Sequence, residues 1–278
     1  MPEITHTSAT QIAPGVRRIT ARNPGKMTGP GTNTYVVGES EVAIIDPGPL
    51  LDEHIDSIER IFGDKIKKIL VTHTHRDHSP AACALAERTG AQLIGNVIVN
   101  DGYQDTSFKG ATPLQQDDVI EIDNFRIRAL LTPGHVSNHV CYLVEHAGML
   151  LTGDHMMQGS TVVIVPPAGN MKHYIESLER MLQYDVEVVA PGHGDLIESP
   201  REEIEHLIQH RLGREKKVVD ALTHLGVASI SALTPVVYDD VDPALHQWAA
   251  LSLEAHLLKL RDEGRATEAA SEWRLAAG

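Results

Sequence analysis

Apolar positions along this chain follow two rhythms that alternate over its first two hundred residues. Short β-type runs occupy 15–20, 33–37, 42–45, 66–72, 92–94, 119–122, 125–131, 140–144, 149–152 and 186–190. Tight turns at 38–41 and 123–124 join two pairs of them into predicted hairpins. Between these runs, Leu51, Ile55, Ile58 and Phe62 recur at helical spacing across 49–62. Ser79-Pro80 opens a second helix over 81–88, and Tyr174 begins a third that runs to Leu182. From about residue 200 the rhythm becomes helical, over 201–225 and 244–263, with a short segment at 227–234 between and a last strand after Gly264. Strands and helices in that order predict an α/β domain over 1–204 and a small helical domain over 205–278.

Several of the runs end in residues that can bind a metal. The run Ile66-Lys67-Lys68-Ile69-Leu70-Val71-Thr72 leads directly into His73-Thr74-His75-Arg76-Asp77-His78. Asp46, His135, Asp154 and His193 likewise stand just past an apolar run, beside glycine or in a polar turn. Strand ends of a layered α/β fold are where binding groups concentrate, so residues distant in sequence can meet there. Imidazole and carboxylate suit Zn²⁺, and also Fe or Mn. His73 and His75 can reach one ion from the same side, and Asp77 and His78 are set for a second. Two such ions sharing a hydroxide make a nucleophile at neutral pH.

Composition narrows the setting. The formal charge of −14 is spread along 278 residues, which disfavours broad nucleic-acid binding. Two cysteines, Cys83 and Cys141, make no disulfide framework. The opening residues show no leader and no apolar run is long enough to span a bilayer, so a cytoplasmic protein without a membrane partner is expected.

These motifs resemble the metallo-β-lactamase superfamily. Its HxHxDH signature is intact at 73–78, and its later ligands match His135 in Thr-Pro-Gly-His, Asp154 in Thr-Gly-Asp-His and His193 in Pro-Gly-His-Gly. The resemblance implies an αββα sandwich, two packed mixed β-sheets flanked by helices, with a winged-helix-like C-terminal domain. It implies that His73, His75 and His135 hold one metal, that Asp77, His78 and His193 hold the other, and that Asp154 bridges them. Asp46 then orients the motif from behind, and it suits a turn cap as well. The loop 23–35 is similar to the lactamase-β-2-like branch, which includes thioesterases on carrier-bound chains and single-stranded RNA endonucleases. A departure is Ser79-Pro80, where the family more often has Ser-Gly.

The expected function is dinuclear metal hydrolysis of an ester, thioester or lactone, on a small or carrier-linked substrate, with two Zn²⁺ per chain and Asp77 also orienting the hydroxide. RNA cleavage, single-iron chemistry on a thiol-bound substrate, and a DNA-binding regulator are the competing readings. Duplex DNA is not an expected partner, since 244–263 offers only Lys259 and Arg261 against Glu254, Asp262 and Glu263. RNA and a homo-oligomer stay open. Among the other histidines, His139 reads as loop support, and His155 points away from the site if its segment is extended, with lining of the site as the alternative. His173 and Tyr174 read as helix-start packing. His206, His210, His224, His246 and His256 read as a solvated helical face. Residues 162–165 read as a core strand, and 96–118 as an irregular loop over the site.

Overall fold

Every residue of Asn33–Gly38, Val42–Ile45, Val140–Val144 and Met149–Gly153 is buried, as strands covered on both faces must be. The structure, a computed structural model, describes residues 6–98 and 102–276. The opening residues 1–5 and residues 99–101 of the predicted loop lie outside the described residues. The chain divides into two compact units. The first runs to Thr132 and takes in Asn138–Ser160 and Tyr184–Pro200; the second holds Pro133–Ser137, Thr161–Gln183 and the chain from Arg201 onward.

In the first unit, strands β1 (Thr10–Ala13), β2 (Val16–Thr20), β3 (Asn33–Gly38), β4 (Val42–Ile45), β5 (Ile66–Leu70) and β6 (Gln92–Ile94) form one sheet in sequence order. It is antiparallel as far as β4 and parallel from β4 to β6. Helices α1 (Asp52–Phe62) and α2 (Pro80–Thr89) provide the two crossovers. A second sheet has the order β11-β10-β9-β8-β7, from β7 (Val119–Ile122), β8 (Phe125–Leu131), β9 (Val140–Val144), β10 (Met149–Gly153) and β11 (Val188–Pro191). It is antiparallel except for the parallel β10–β11 pair. Both sheets are therefore mixed.

The period of two along each strand decides what packs where. Val37, Ile45 and Leu70 face inward and cluster with Ile127, Val140, Tyr142 and Leu151 of the second sheet. Their neighbours Val36, Ile44 and Ile69 face the other way and meet Ile55, Ile58, Ala82 and Leu85 of α1 and α2. Each fully buried branched side chain contributes about 1.5–3 kcal/mol. Helix α2 starts on Pro80 and stops at Gly90, whose φ of 71° suits a residue without Cβ. Strand β1 is not anticipated by the apolar pattern, because Thr10-Gln11-Ile12-Ala13 offers one large apolar residue.

The second unit contains α3 (Met171–Met181), α4 (Pro200–Leu225), β12 (Ala228–Ser229), α5 (Ile230–Val237), α6 (His246–Asp262), β13 (Ala266–Ala269) and β14 (Glu272–Leu275). The last three strands form a small sheet in the order β12-β14-β13. Leu222, Leu233, Leu253, Leu257, Leu260 and Trp273 make the core. Two expectations fail here. His206 and His224 are exposed, but His210 and His246 are half-buried, and His256 is fully buried because it shares with Leu253, Leu257 and Leu260 the side of α6 turned to the interior. Residues 162–165 are not a strand: Val162 and Ile164 are buried, yet the segment joins no ladder. Among the described residues, no helix is long and apolar enough to cross a membrane.

Gly134 illustrates how tightly the second unit closes on its segment 133–137. A Cβ at this position would lie 2.4 Å from Cα of Tyr174, and its φ of 155° is one that side chains rarely adopt. The Gly134→Ala variant is expected to lose about 1–3 kcal/mol of stability, read as a lower urea midpoint with unchanged slope. A wild-type midpoint would contradict that packing.

Candidate metal centre

Strand β4 ends at Asp46, whose φ of 51° is unusual for a residue with a side chain. Five hydrogen bonds hold it there. Its carboxylate accepts from the backbone N–H of Thr72 at 2.7 Å, from Thr72 Oγ1 at 2.7 Å and from His78 Nδ1 at 2.8 Å. Its carbonyl accepts from Thr34 Oγ1 at 2.7 Å, and its N–H donates to Leu70 at 2.9 Å. The end of β4 thus fixes the segment that follows β5. Thr34 in turn accepts from Nε2 of His54, at 2.8 Å. Burial, with His6 a lesser cause, pushes His54 down to about 4, so it is neutral at pH 7.

The 73–78 block follows β5, Asp154 follows β10 and His193 follows β11. The potential ligand atoms of Asp77, His78, Asp154 and His193 all lie within 4.8 Å of one another. Nε2 of His78 is 3.6 Å from Asp77 Oδ2 and 3.3 Å from Asp154 Oδ1. Nε2 of His193 is 3.2 Å from Asp77 Oδ2 and 3.3 Å from Asp154 Oδ1. Two ligands of a tetrahedral Zn²⁺ stand roughly 3.3 Å apart, so these four groups fit the edges of one such shell. On the other side, His73 Nε2 is 3.0 Å from His75 Nδ1 and 4.0 Å from Asp154 Oδ2. Asp154 therefore turns one oxygen toward each set of imidazoles.

The remaining ring nitrogens support the same arrangement. His78 donates through Nδ1 to Asp46, and His193 Nδ1 lies 3.2 Å from the Gly31 carbonyl. In the second unit, His135 Nδ1 donates to the Val163 carbonyl at 2.9 Å. A proton on Nδ1 leaves Nε2 as the ligand atom, the usual second-layer arrangement around metal-binding histidines. The buried Nε2 atoms of His78 and His193 make no well-directed hydrogen bond.

The charges respond to this crowding. Burial would lower His78, but the carboxylates of Asp154, Asp77 and Asp46 outweigh it and hold the imidazole well above its ordinary value. His193 is raised in the same way, against burial, by Asp154 and Asp77. Burial would raise Asp77 and Asp154, yet His78 and His193 bring both below the usual carboxylate range. His73 moves the other way: burial, and then His78 and His75, push it well down. Half-buried carboxylates interleaved with imidazoles form a donor set that suits Zn²⁺, Fe or Mn.

Buried polar neighbours complete the surroundings. His139 is buried and contacts Thr132 Oγ1 through Nδ1 at 2.9 Å, and its ring stacks at 5.0 Å on His73, which fits loop support. His155 is buried in a turn, not in an extended segment, with its ring 5.6 Å from that of His139. Asn138 donates to Thr74 at 2.9 Å and Thr74 to Gln104 at 2.7 Å, which ties the motif to the loop above it. Thr72 could have been found from its place at the strand end. His54 carries no such signal, because it lies in an ordinary amphipathic helix. His173 is exposed and Tyr174 is buried.

Comparison with known proteins places this geometry in a family. The metallo-beta-lactamase superfamily profile matches residues 27–193, and that of the beta-lactamase associated winged helix domain matches residues 229–273. The lactamase-like protein nscB of Trichophyton rubrum is 33% identical over 227 residues, 80% of this chain and 66% of that protein. The chain spans about half to two thirds of the nscB proteins it matches first. The atrochrysone carboxyl ACP thioesterase dmxR1 of a Cryptosporiopsis species is 27% identical, over 92% of this chain and 82% of its own length. A beta-lactamase domain protein from Burkholderia ambifaria shares the fold, with a TM-score of 0.80 at 21% identity, covering 99% of this chain and 95% of that one.

His54 makes the Asp46 corner sensitive to acid. In the unfolded chain its imidazole takes a proton near pH 6.5, and in the fold only near 4. Its neutral state therefore contributes on the order of 3 kcal/mol above pH 6.5, and this is lost as the pH falls from 6.5 toward 4. The His54→Gln variant keeps a donor but cannot titrate, so its stability curve should be flatter across that window. Parallel curves for the two proteins would contradict a buried, neutral His54.

Proposed function

The chain belongs to the metallo-β-lactamase superfamily, and on that premise we propose that it is a dinuclear metal hydrolase of esters, thioesters or lactones, its acyl groups small or carrier-linked. The observation that carries this reading is the division of Asp154, with Oδ1 3.3 Å from both His78 and His193 and Oδ2 4.0 Å from His73. We assign His73, His75 and His135 to one zinc ion, Asp77, His78 and His193 to the other, and Asp154 to both. Iron or manganese would accept the same nitrogen and oxygen set. When bound, the ion pair supplies a water acidified to near neutrality and an electrophilic pull on the attacked carbonyl oxygen.

The protein groups have separate tasks in that chemistry. Asp77 is the more open of the two carboxylates, 28% exposed against 14% for Asp154, and it is assigned to orient the attacking water and hold its proton. Asp46 acts through His78 and Thr72 as a positioning residue. A thioester is favoured by the similarity to a protein named as an acyl-carrier thioesterase. Long RNA is disfavoured by the net charge of −14. Duplex DNA is disfavoured by the state of the cations on α6, since Lys259 pairs with Glu215 and Glu263, and Arg261 with Asp262.

The test is hydrolysis by zinc-loaded full-length protein on a thioester, an ester, a lactone and an unstructured RNA. Thioester or ester cleavage that chelator abolishes and zinc restores is expected. A fully metallated protein that leaves all three acyl substrates intact would overturn the proposal, and RNA cleavage alone would move the chemistry to phosphodiesters.

A further inference from the structure

Arg211 of α4 is 3% exposed and pairs with no carboxylate among the described residues. Burying an unpaired guanidinium is costly, so its contacts need a reason. Nη2 donates to the Val162 carbonyl at 2.6 Å, while Nε makes no hydrogen bond. Its Cζ lies 5.2 Å from the ring centroid of Tyr174. Residues 162–165 belong to no ladder, so nothing regular sets their register. The next carbonyl along, that of Val163, accepts Nδ1–H of His135.

The segment that carries His135 is clasped from the same elements. Ser177 Oγ donates to the Pro133 carbonyl at 2.8 Å, and the Asn170 N–H donates to the Gly134 carbonyl at 2.8 Å. Gly134 lies against the backbone of Tyr174, the residue whose ring faces Arg211. One guanidinium thus touches both the peptide beside the imidazole's acceptor and the residue behind the imidazole's own loop.

We propose that Arg211 is a positioning residue that fixes the ring orientation of His135 through Val162–Val163 and Tyr174, and thereby sets the affinity for one of two metal ions. The inference rests on the assignment of His135 as a ligand. A lysine could supply the charge at this position but not the planar fork that reaches a carbonyl while lying on an aromatic ring. A packing role alone would make Arg211 matter for stability and leave the two ions equally affected.

The experiment titrates chelator-stripped full-length protein with Co²⁺, reads the visible absorption of each binding event, and repeats the competition with Zn²⁺ and a chromophoric chelator. Wild type is expected to show two events, and His135→Ala identifies the one that depends on this ligand. Arg211→Met should weaken that same event by about tenfold or more and leave the other within about twofold, with the melting temperature of the stripped protein little changed. Arg211→Lys should fall between wild type and Arg211→Met, and it is scored by the same criterion if Arg211→Met does not fold. Two events at wild-type affinity in the Arg211 variants, or equal weakening of both, would overturn this inference alone. A wild type that binds fewer than two ions would overturn the dinuclear reading, and this inference with it.

Discussion

The carboxylate of Asp46 is the fixed point of the first unit. A residue with a side chain at φ 51° is strained, and the strain persists because three donors converge on its oxygens and a fourth on its carbonyl. One consequence is geometric: the parallel β4–β5 pair ends in a corner that sets where the histidine block begins. The other is electronic: Nδ1 of His78 is committed to Asp46, which leaves Nε2 toward Asp77 and Asp154.

Beyond that corner, the arrangement follows from charge drawn into a half-buried centre. Asp77 and Asp154 stand among imidazoles in an interior where unpaired charge is expensive. Within the first unit, four ligand atoms from three separate strand ends approach one another to 3.2–3.6 Å. The sandwich makes this approach possible, because inward residues of both sheets share one core and their strand ends are then held in place. Nothing in apolar packing itself calls for carboxylates and histidines at those ends. A cation does.

How much of this could be read from the chain depends on the kind of contact. Residues 73–78, Asp154 and His193 were visible because they are rare side chains placed directly after apolar runs, and runs of that kind report strands well. His256 misled, since a histidine on a helix carries no sign of which face it occupies until the partners of α6 are known. Residues 162–165 misled because apolar composition signals burial, while a strand also needs a ladder partner. Strand β1 was hidden by having a single large apolar residue. Arg211 was beyond reach, because it bonds a backbone carbonyl 49 positions away, and a carbonyl has no residue type.

Anomalous diffraction at the zinc absorption edge, from crystals of the zinc-loaded full chain, tests the central claim most directly. Two peaks separated by Asp154 are expected, one enclosed by Asp77, His78 and His193, the other reached by His73 and His75. A single peak, or a pair lying away from these side chains, would contradict it.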